Sequence, residues 1–390
     1  MEKIISTEKI PIKLWLKDVE LGALNQVKNL ANHTYAFHHI ALMPDAHEGF
    51  GMPIGGVLAT KDVIIPNAVG VDIGCGICAV RTSLKEIPID TLKGILGIIR
   101  RTIPVGFIHH KSKQKNEQMP DPSKYSQKDM PIVNQEYNSA LHQIGTLGGG
   151  NHFIEIQKGN DGFIWIMVHS GSRNIGFKVA SYYNKLAKSL NEKWKSKIPP
   201  KWDLAYLPLD SKQGQIYQKE MHYCVDFAFG SRKLMMNRIK EAISPFFDDV
   251  VYNDIINIAH NYASQEKHFG EKVIVHRKGA TLASAETIGI VPGSQGMKSY
   301  IVKGKGNLES YNSCSHGAGR RLGRRQAQRQ LNLKSEQKSL EEKGILHSIK
   351  SKRDLDEAPS AYKDIVTVMS NQRDLVEIIA ELSPLAVIKG

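Results

Sequence analysis

The chain has 390 residues, 41% of them apolar and 23% charged, which excludes a disordered chain and allows one large domain or two ordinary ones. Lysine and arginine outnumber aspartate and glutamate by 52 − 39 = 13, a surplus that favours a polyanionic partner such as nucleic acid. The charged start Met1–Lys9, the lack of any run of about 18 apolar residues and only four cysteines argue against a signal peptide, a membrane span and a disulfide scaffold, so a reducing cytoplasm is the expected setting.

Residues 36–83 are rich in glycine, proline and β-branched residues and predict short strands at Ile40–Met43, Gly55–Thr60 and Ala68–Arg81. Asp90–Ile103 reads as an amphipathic helix stopped by Pro104. His109–Met130 is polar, carries Pro120 and Pro122, and reads as a mobile surface loop. Phe163–Val168 predicts a buried strand that runs into His169. Lys178–Lys195 and Gln213–Ile243 predict helices, separated by Pro199, Pro200 and Pro208, that form a helical insertion over roughly 178–245. Asp249–Glu266 predicts a further helix containing His260. Lys272–Val275 and Ser299–Val302 predict strands on either side of Pro292–Gly296. Gln372–Leu382 predicts a closing helix before a short tail, Ala386–Gly390. No repeat or low-complexity linker divides the chain, so one composite site within a single domain, 1–390, is expected. Strands and helices alternate without a regular βαβ rhythm, which points to an α+β fold with central sheets flanked by helices.

Several segments could carry chemistry. Asp72-Ile-Gly-Cys75 offers a carboxylate and a thiolate, with Gly74 and Gly76 allowing the bend that brings both to one borderline divalent metal. The same residues describe a structural turn with an inert cysteine. Cys75-Gly-Ile-Cys78 continues into a strand-like run rather than a helix, which speaks against a redox pair. In Gly148-Gly-Gly-Asn151-His152-Phe-Ile-Glu155, strand alternation puts Phe153 and Glu155 on the face opposite His152. A metal ligand and a base-recognising carboxylate would then occupy adjacent pockets, though the same residues equally describe a glycine-rich hairpin with a capping Asn. His169-Ser-Gly-Ser-Arg173 suits a metal next to a phosphate. His276-Arg-Lys278-Gly279 reads as a phosphate clamp or a basic turn, and Met43-Pro-Asp45-Ala-His47 as metal chemistry or a plain turn. Asn312-Ser-Cys-Ser-His316-Gly-Ala-Gly-Arg320 sets a histidine in a glycine turn ahead of Arg321, Arg324, Arg325 and Arg329. A histidine placed there can attack phosphorus or bind a metal. No Walker loop and no His-Glu-x-x-His is present.

Taken together, in this order, these motifs resemble the RtcB family of RNA ligases, also called tRNA-splicing ligases. Gly70-Val-Asp-Ile-Gly-Cys-Gly, His260-Asn, Pro292-Gly-Ser, Asp356-Glu-Ala-Pro-Ser-Ala-Tyr-Lys-Asp and Lys389-Gly390 belong to the same pattern, which spans nearly the whole chain. The resemblance implies an RtcB-like fold and an enzyme that joins RNA 3′-phosphate or 2′,3′-cyclic phosphate ends to 5′-hydroxyl ends with GTP and Mn²⁺, in tRNA splicing or RNA repair. It implies two Mn²⁺ ions, one held by Cys75, His169 and His260 and the other by Asp72, Cys75 and His152. His316 would be the residue that takes GMP. Asn151 would hold a phosphate, and Phe153, Glu155, Tyr362 and Lys389 would line the guanosine pocket with Pro292, Ser294, Ser299, Gly317 and Gly319 nearby. Arg173, Lys278 and Arg320 would grip phosphates, and Asp45 would stand beside the active site. An archease-like activator is a partner known across the family. Asn174, Gln295, Leu322-Gly323 and the position of Cys314 depart from the pattern, which bears on substrate preference and rate more than on reaction class. Two other readings of the same residues are a metal-dependent phosphodiesterase or phosphatase acting on RNA ends, and a non-catalytic RNA-binding module.

Overall fold

The computed structural model describes residues 1–125 and 129–390. Its architecture is α+β and rests on two large sheets. The first has six strands in the order Lys3–Ile5, Ile12–Leu14, Ala36–Phe50, Met52–Thr60, Glu271–Lys278 and Asn261–His268. One neighbouring pair in it is parallel, Ile12–Leu14 with Ala36–Phe50. The second has seven antiparallel strands in the order Ile256–Ala259, Gly76–Arg81, Ile164–Ser170, Phe153–Gly159, Val376–Lys389, Ser299–Gly304 and Ile288–Val291.

One of the passages from sheet to sheet takes a single residue. Ala259 ends a strand of the second sheet and Asn261 begins a strand of the first, so His260 lies between them. Its backbone N–H donates to the Cys75 carbonyl at 2.8 Å, and the Gly74 N–H donates to the Asn261 carbonyl at 2.7 Å. The crossover is thereby fastened to the loop that carries Asp72 and Cys75.

Helices cover the outer faces. Ile89–Thr102 buries Leu92, Ile95, Leu96 and Ile99, the i, i+3, i+4, i+7 stripe of an amphipathic helix. The predicted helical insertion contains helices Arg173–Lys193 and Lys212–Ile243. The longer one serves two cores. Tyr217, Met221 and Phe227 pack with Ile73 and Ile175, while Met235, Met236 and Ile239 pack with Val80 and Ile166 beneath the second sheet. Full burial of each such side chain contributes roughly 1.5–3 kcal/mol. Arg232 of this helix is completely buried, and its guanidinium donates to the carbonyls of Gly74 and Ser170 and to Asn257 Oδ1 at 2.7–2.9 Å. One side chain thus fixes the ends of the two segments that carry Cys75 and His169.

Three expectations from sequence change here. Asp249–Glu266 is not a helix: Ile256–Ala259 and Asn261–His268 are strands, so His260 sits on the crossover. Ile256, Ile258 and Tyr262 fit a pleated surface, and pairing with Gly76–Arg81 and Glu271–Lys278 overrides the helix formers nearby. Gln372–Leu382 is not a helix either. A short helix, Ile365–Ser370, precedes the strand Val376–Lys389, which is paired on both sides and absorbs Pro384 at a register shift. Ala68–Arg81 is a strand only over Gly76–Arg81. Gly70 and Gly74 take positive φ (97° and 72°), which turns the chain and leaves Pro66–Val69 as a helical turn. The loop expected over His109–Met130 contains a 3₁₀ turn at Asn116–Gln118, and its residues 126–128 lie outside the described residues.

Candidate active site

The loop after Gly70 sets the first donors. The Cys75 N–H donates to the Asp72 carbonyl, closing a turn that puts both side chains on one side. A Cβ at Gly171 would lie 2.1 Å from the Asp72 carboxylate, so this approach requires glycine. His169, near the end of the strand Ile164–Ser170, and His152, just before Phe153–Gly159, face the same loop. Cys75 Sγ lies 3.3 Å from His169 Nε2 and 3.5 Å from His152 Nε2. His169 Nε2 lies 3.1 Å from His260 Nε2, and His152 Nε2 lies 3.1 Å from Asp72 Oδ2. Two donor sets result, Cys75–His169–His260 and Asp72–Cys75–His152, each with its ligand atoms within 4.8 Å of one another. Cys75 belongs to both.

Hydrogen bonds behind the rings decide the tautomers. A carbonyl only accepts, so His152 Nδ1 donates to Leu147 O at 2.9 Å and His169 Nδ1 donates to Asn151 O at 3.0 Å. The Asn261 amide is oriented because its Oδ1 accepts from the Gly279 N–H at 2.8 Å and its Nδ2 donates to Asp72 O. His260 Nδ1 therefore donates to that Oδ1 at 3.3 Å. The Nε2 atoms of His169 and His260 carry lone pairs and converge, with His152 Nε2, on one thiol. Lone pairs crowded at 3.1–3.5 Å repel unless a cation lies among them, so the residues fit a metal cluster. Cysteine, histidine and carboxylate donors suit borderline divalent ions. Burial pushes the Cys75 thiol well above its usual pKa, with Asp72 adding to the effect, and holds His169 and His260 far below the usual imidazole value. Both rings thus keep their lone pairs at neutral pH, while the thiolate needs a positive partner.

His316 stands beside this cluster, its ring centroid 4.7 Å from that of His260. Its Nδ1 donates to Asp45 Oδ2 at 2.6 Å, and its backbone N–H donates to the same oxygen at 3.0 Å. Burial opposes ionisation of Asp45, yet His316 holds its pKa below the usual value. The bond fixes the ring and leaves Nε2 unengaged, the arrangement of a carboxylate-oriented nucleophile.

A cleft of about 720 Å³ runs past these groups. Asp72, Cys75, Asn151, Phe153, Glu155, His169, His260, Lys278, Pro292, Ser294, His316, Gly317, Gly319, Arg320, Tyr362 and Lys389 all line it. Asp45, His152, Arg173 and Ser299 stand behind its wall. The Ser299 hydroxyl accepts from Gln157 and from the Gly293 N–H. The Arg173 guanidinium lies between Thr146, Gly106 O and His152. Lys278 is buried and donates to the carbonyls of Phe50 and Asn67, and burial lowers its pKa to about 7. Glu155 is buried, accepts from Gln157 Nε2 at 2.6 Å, and is pushed up to about 8 by burial against the opposing pull of Lys389.

Sequence reasoning missed the residue that organises this end of the cleft. Glu357 is buried and receives Arg320 and Arg324 at 3.1 Å each, the Tyr362 hydroxyl, and Lys389 at 3.7 Å. Its position inside the Asp356–Asp364 motif was the available signal. Asn261, which orients His260, was another, adjacent to a histidine already singled out.

A buried soft-donor cluster beside a carboxylate-backed imidazole, on a basic cleft, defines an enzyme rather than a binding module. The sequence model described as tRNA-splicing ligase RtcB matches residues 26–390, and the chain belongs to the RtcB family. It is 38% identical to the RNA-splicing ligase RtcB of Escherichia coli (strain K12), an alignment covering 100% of this chain and 99% of that protein. It is 29% identical to the tRNA-splicing ligase RtcB of Thermococcus kodakarensis, covering 94% and 91%, and 30% identical to that of Methanococcus maripaludis, covering 97% and 93%. No helix among the described residues is long and apolar enough to cross a membrane.

Proposed function

We propose that the chain, acting as one catalytic domain, is a GTP- and Mn²⁺-dependent RNA ligase that joins RNA 3′-phosphate or 2′,3′-cyclic phosphate ends to 5′-hydroxyl ends. The observation that carries this reading is the pairing of His316, its Nε2 left free by Asp45, with two donor sets that share Cys75. Cys75, His169 and His260 would hold one Mn²⁺, and Asp72, Cys75 and His152 the other. When bound, the ions would screen phosphate charge and polarise the phosphorus under attack.

His316 Nε2 attacks the α-phosphorus of GTP, forming an N–P bond as pyrophosphate leaves. The RNA 3′-phosphate oxygen then takes the GMP from His316, giving an RNA(3′)pp(5′)G end. The RNA 5′-hydroxyl attacks the phosphorus next to the RNA, and GMP departs. A cyclic phosphate is opened to the 3′-phosphate before this sequence begins. Glu155, as the carboxylate, accepts from guanine N1–H and N2–H, while Phe153, Tyr362 and Lys389 enclose the nucleoside. Arg320 and Arg324 exchange Glu357 for phosphate oxygens. Contacts to the RNA backbone make binding salt-sensitive. The setting is the cytoplasm, the role tRNA splicing or RNA repair, and an archease-like protein is the expected activator.

The test is incubation with α-labelled GTP and Mn²⁺. Wild type is expected to retain label and His316→Ala to retain none. Processing of RNA ends by an unlabelled wild type would instead assign a metal-dependent phosphodiesterase or phosphatase.

A further inference from the structure

Asp45 holds two imidazoles, not one. Its carboxylate receives His316 Nδ1, and its main-chain carbonyl receives His47 Nδ1 at 3.0 Å. Since a carbonyl only accepts, His47 also carries its proton on Nδ1 and presents an unprotonated Nε2. Among the described residues nothing hydrogen-bonds to that Nε2, and His47 lines the same cleft as His316. The strand Ala36–Phe50 shifts register on both sides of His47, and such bulges re-aim side chains next to active sites. Lys363 Nζ, donating to the carbonyls of Pro44 and Ala46, clamps the strand on either side of Asp45.

His47 belongs to neither donor set. It stands on the wall built by the first sheet with Phe50, Ile54 and Lys278, whereas Phe153, Glu155 and Lys389 belong to the second sheet. In phosphoryl transfer the entering and leaving oxygens lie roughly in line across phosphorus. With the GMP leaving group seated against the second sheet, the attacking hydroxyl enters from the wall that carries His47.

We infer that His47 is the general base of the sealing step, accepting the proton of the RNA 5′-hydroxyl at Nε2. This rests on the ligase reading above. As the 5′-oxygen bonds to phosphorus, the P–O bond to GMP breaks and its electrons leave with GMP, and the proton on His47 passes to water. Burial, reinforced by the charge of Lys363, holds the His47 pKa near 4, so its lone pair is available at neutral pH.

The experiment follows His47→Ala and His47→Gln through two separate assays: label transfer from GTP to the protein, and sealing of a preformed RNA(3′)pp(5′)G end to a 5′-hydroxyl RNA. Both variants are expected to take label as wild type does and to seal about 10²–10⁴-fold more slowly. Added imidazole is expected to restore sealing to His47→Ala, whose pocket is open, and not to His47→Gln. Sealing at the wild-type rate by either variant overturns the inference. Equal loss of label and sealing also overturns it, because His47 would then act only by supporting Asp45 and His316. A wild type that takes no label overturns the ligase reading itself, a result distinct from both.

Discussion

The two ends of the cleft are held by different forces. At the donor cluster every imidazole is oriented from behind by the main chain or by an amide that the main chain itself locks: Leu147 O for His152, Asn151 O for His169, and Asn261 for His260. At the other end, Glu357 gathers Arg320, Arg324, Tyr362 and Lys389 through side-chain charge. Main-chain bonds fix a geometry that persists whatever is bound. Side-chain ion pairs can be exchanged for a phosphate of the same charge. The first end is therefore built for rigidity and the second for substitution by substrate.

Perturbing the rigid end gives the largest expected effects. Cys75→Ala removes the donor shared by both sets, and we expect both ions to be lost and ligation to fall by about 10⁴-fold or more, read by metal analysis and end-joining rate. Asn261→Ala leaves every ligand in place but frees the His260 ring. Metal affinity should weaken by about 10–100-fold, measured by titration with a competing chelator. At the exchangeable end, Glu357→Gln keeps the shape and removes the charge. The KM for GTP should fall about tenfold with metal content unchanged, because the arginines no longer leave a buried carboxylate to reach phosphate. Loss of metal in that variant would erase the distinction between the two ends.

The smallest effect concerns Glu155 and stability rather than rate. Its pKa rises from 4.5 to about 8 in the folded protein, so between those values the folded state keeps a proton that the unfolded chain has released. Stability contributed by the protonated carboxyl is complete below pH 4.5 and is lost as pH rises toward 8. Without nucleotide, Glu155→Gln should melt above wild type at pH 8, and the two should converge near pH 4.5. The same Tm difference at both pH values would show that Glu155 is not held neutral.

Much of this was legible in the chain. Gly74 next to Asp72 and Cys75 signals a turn that puts both on one side, and alternation along the strand puts Phe153 and Glu155 on one face, where both line the cleft. His260 reads as helical from sequence because the Ala, Asn, Gln and Glu around it carry no strong strand signal, and its place is decided by two partner strands distant in sequence. Gln372–Leu382 reads as a helix for the same reason, since the strand Val376–Lys389 takes its character from neighbours on both sides. Glu357 and the tautomers of the ligand histidines depend on which carbonyl or cation lies behind each group, and no local spacing encodes that.

The single-residue passage between the sheets has a mechanical consequence. His260 has one chain neighbour in each sheet, so any slip of one sheet past the other would move its ring directly. An ion gripped by that ring would act as a rivet through both layers, adding to the resistance to shear that the main-chain bonds already give.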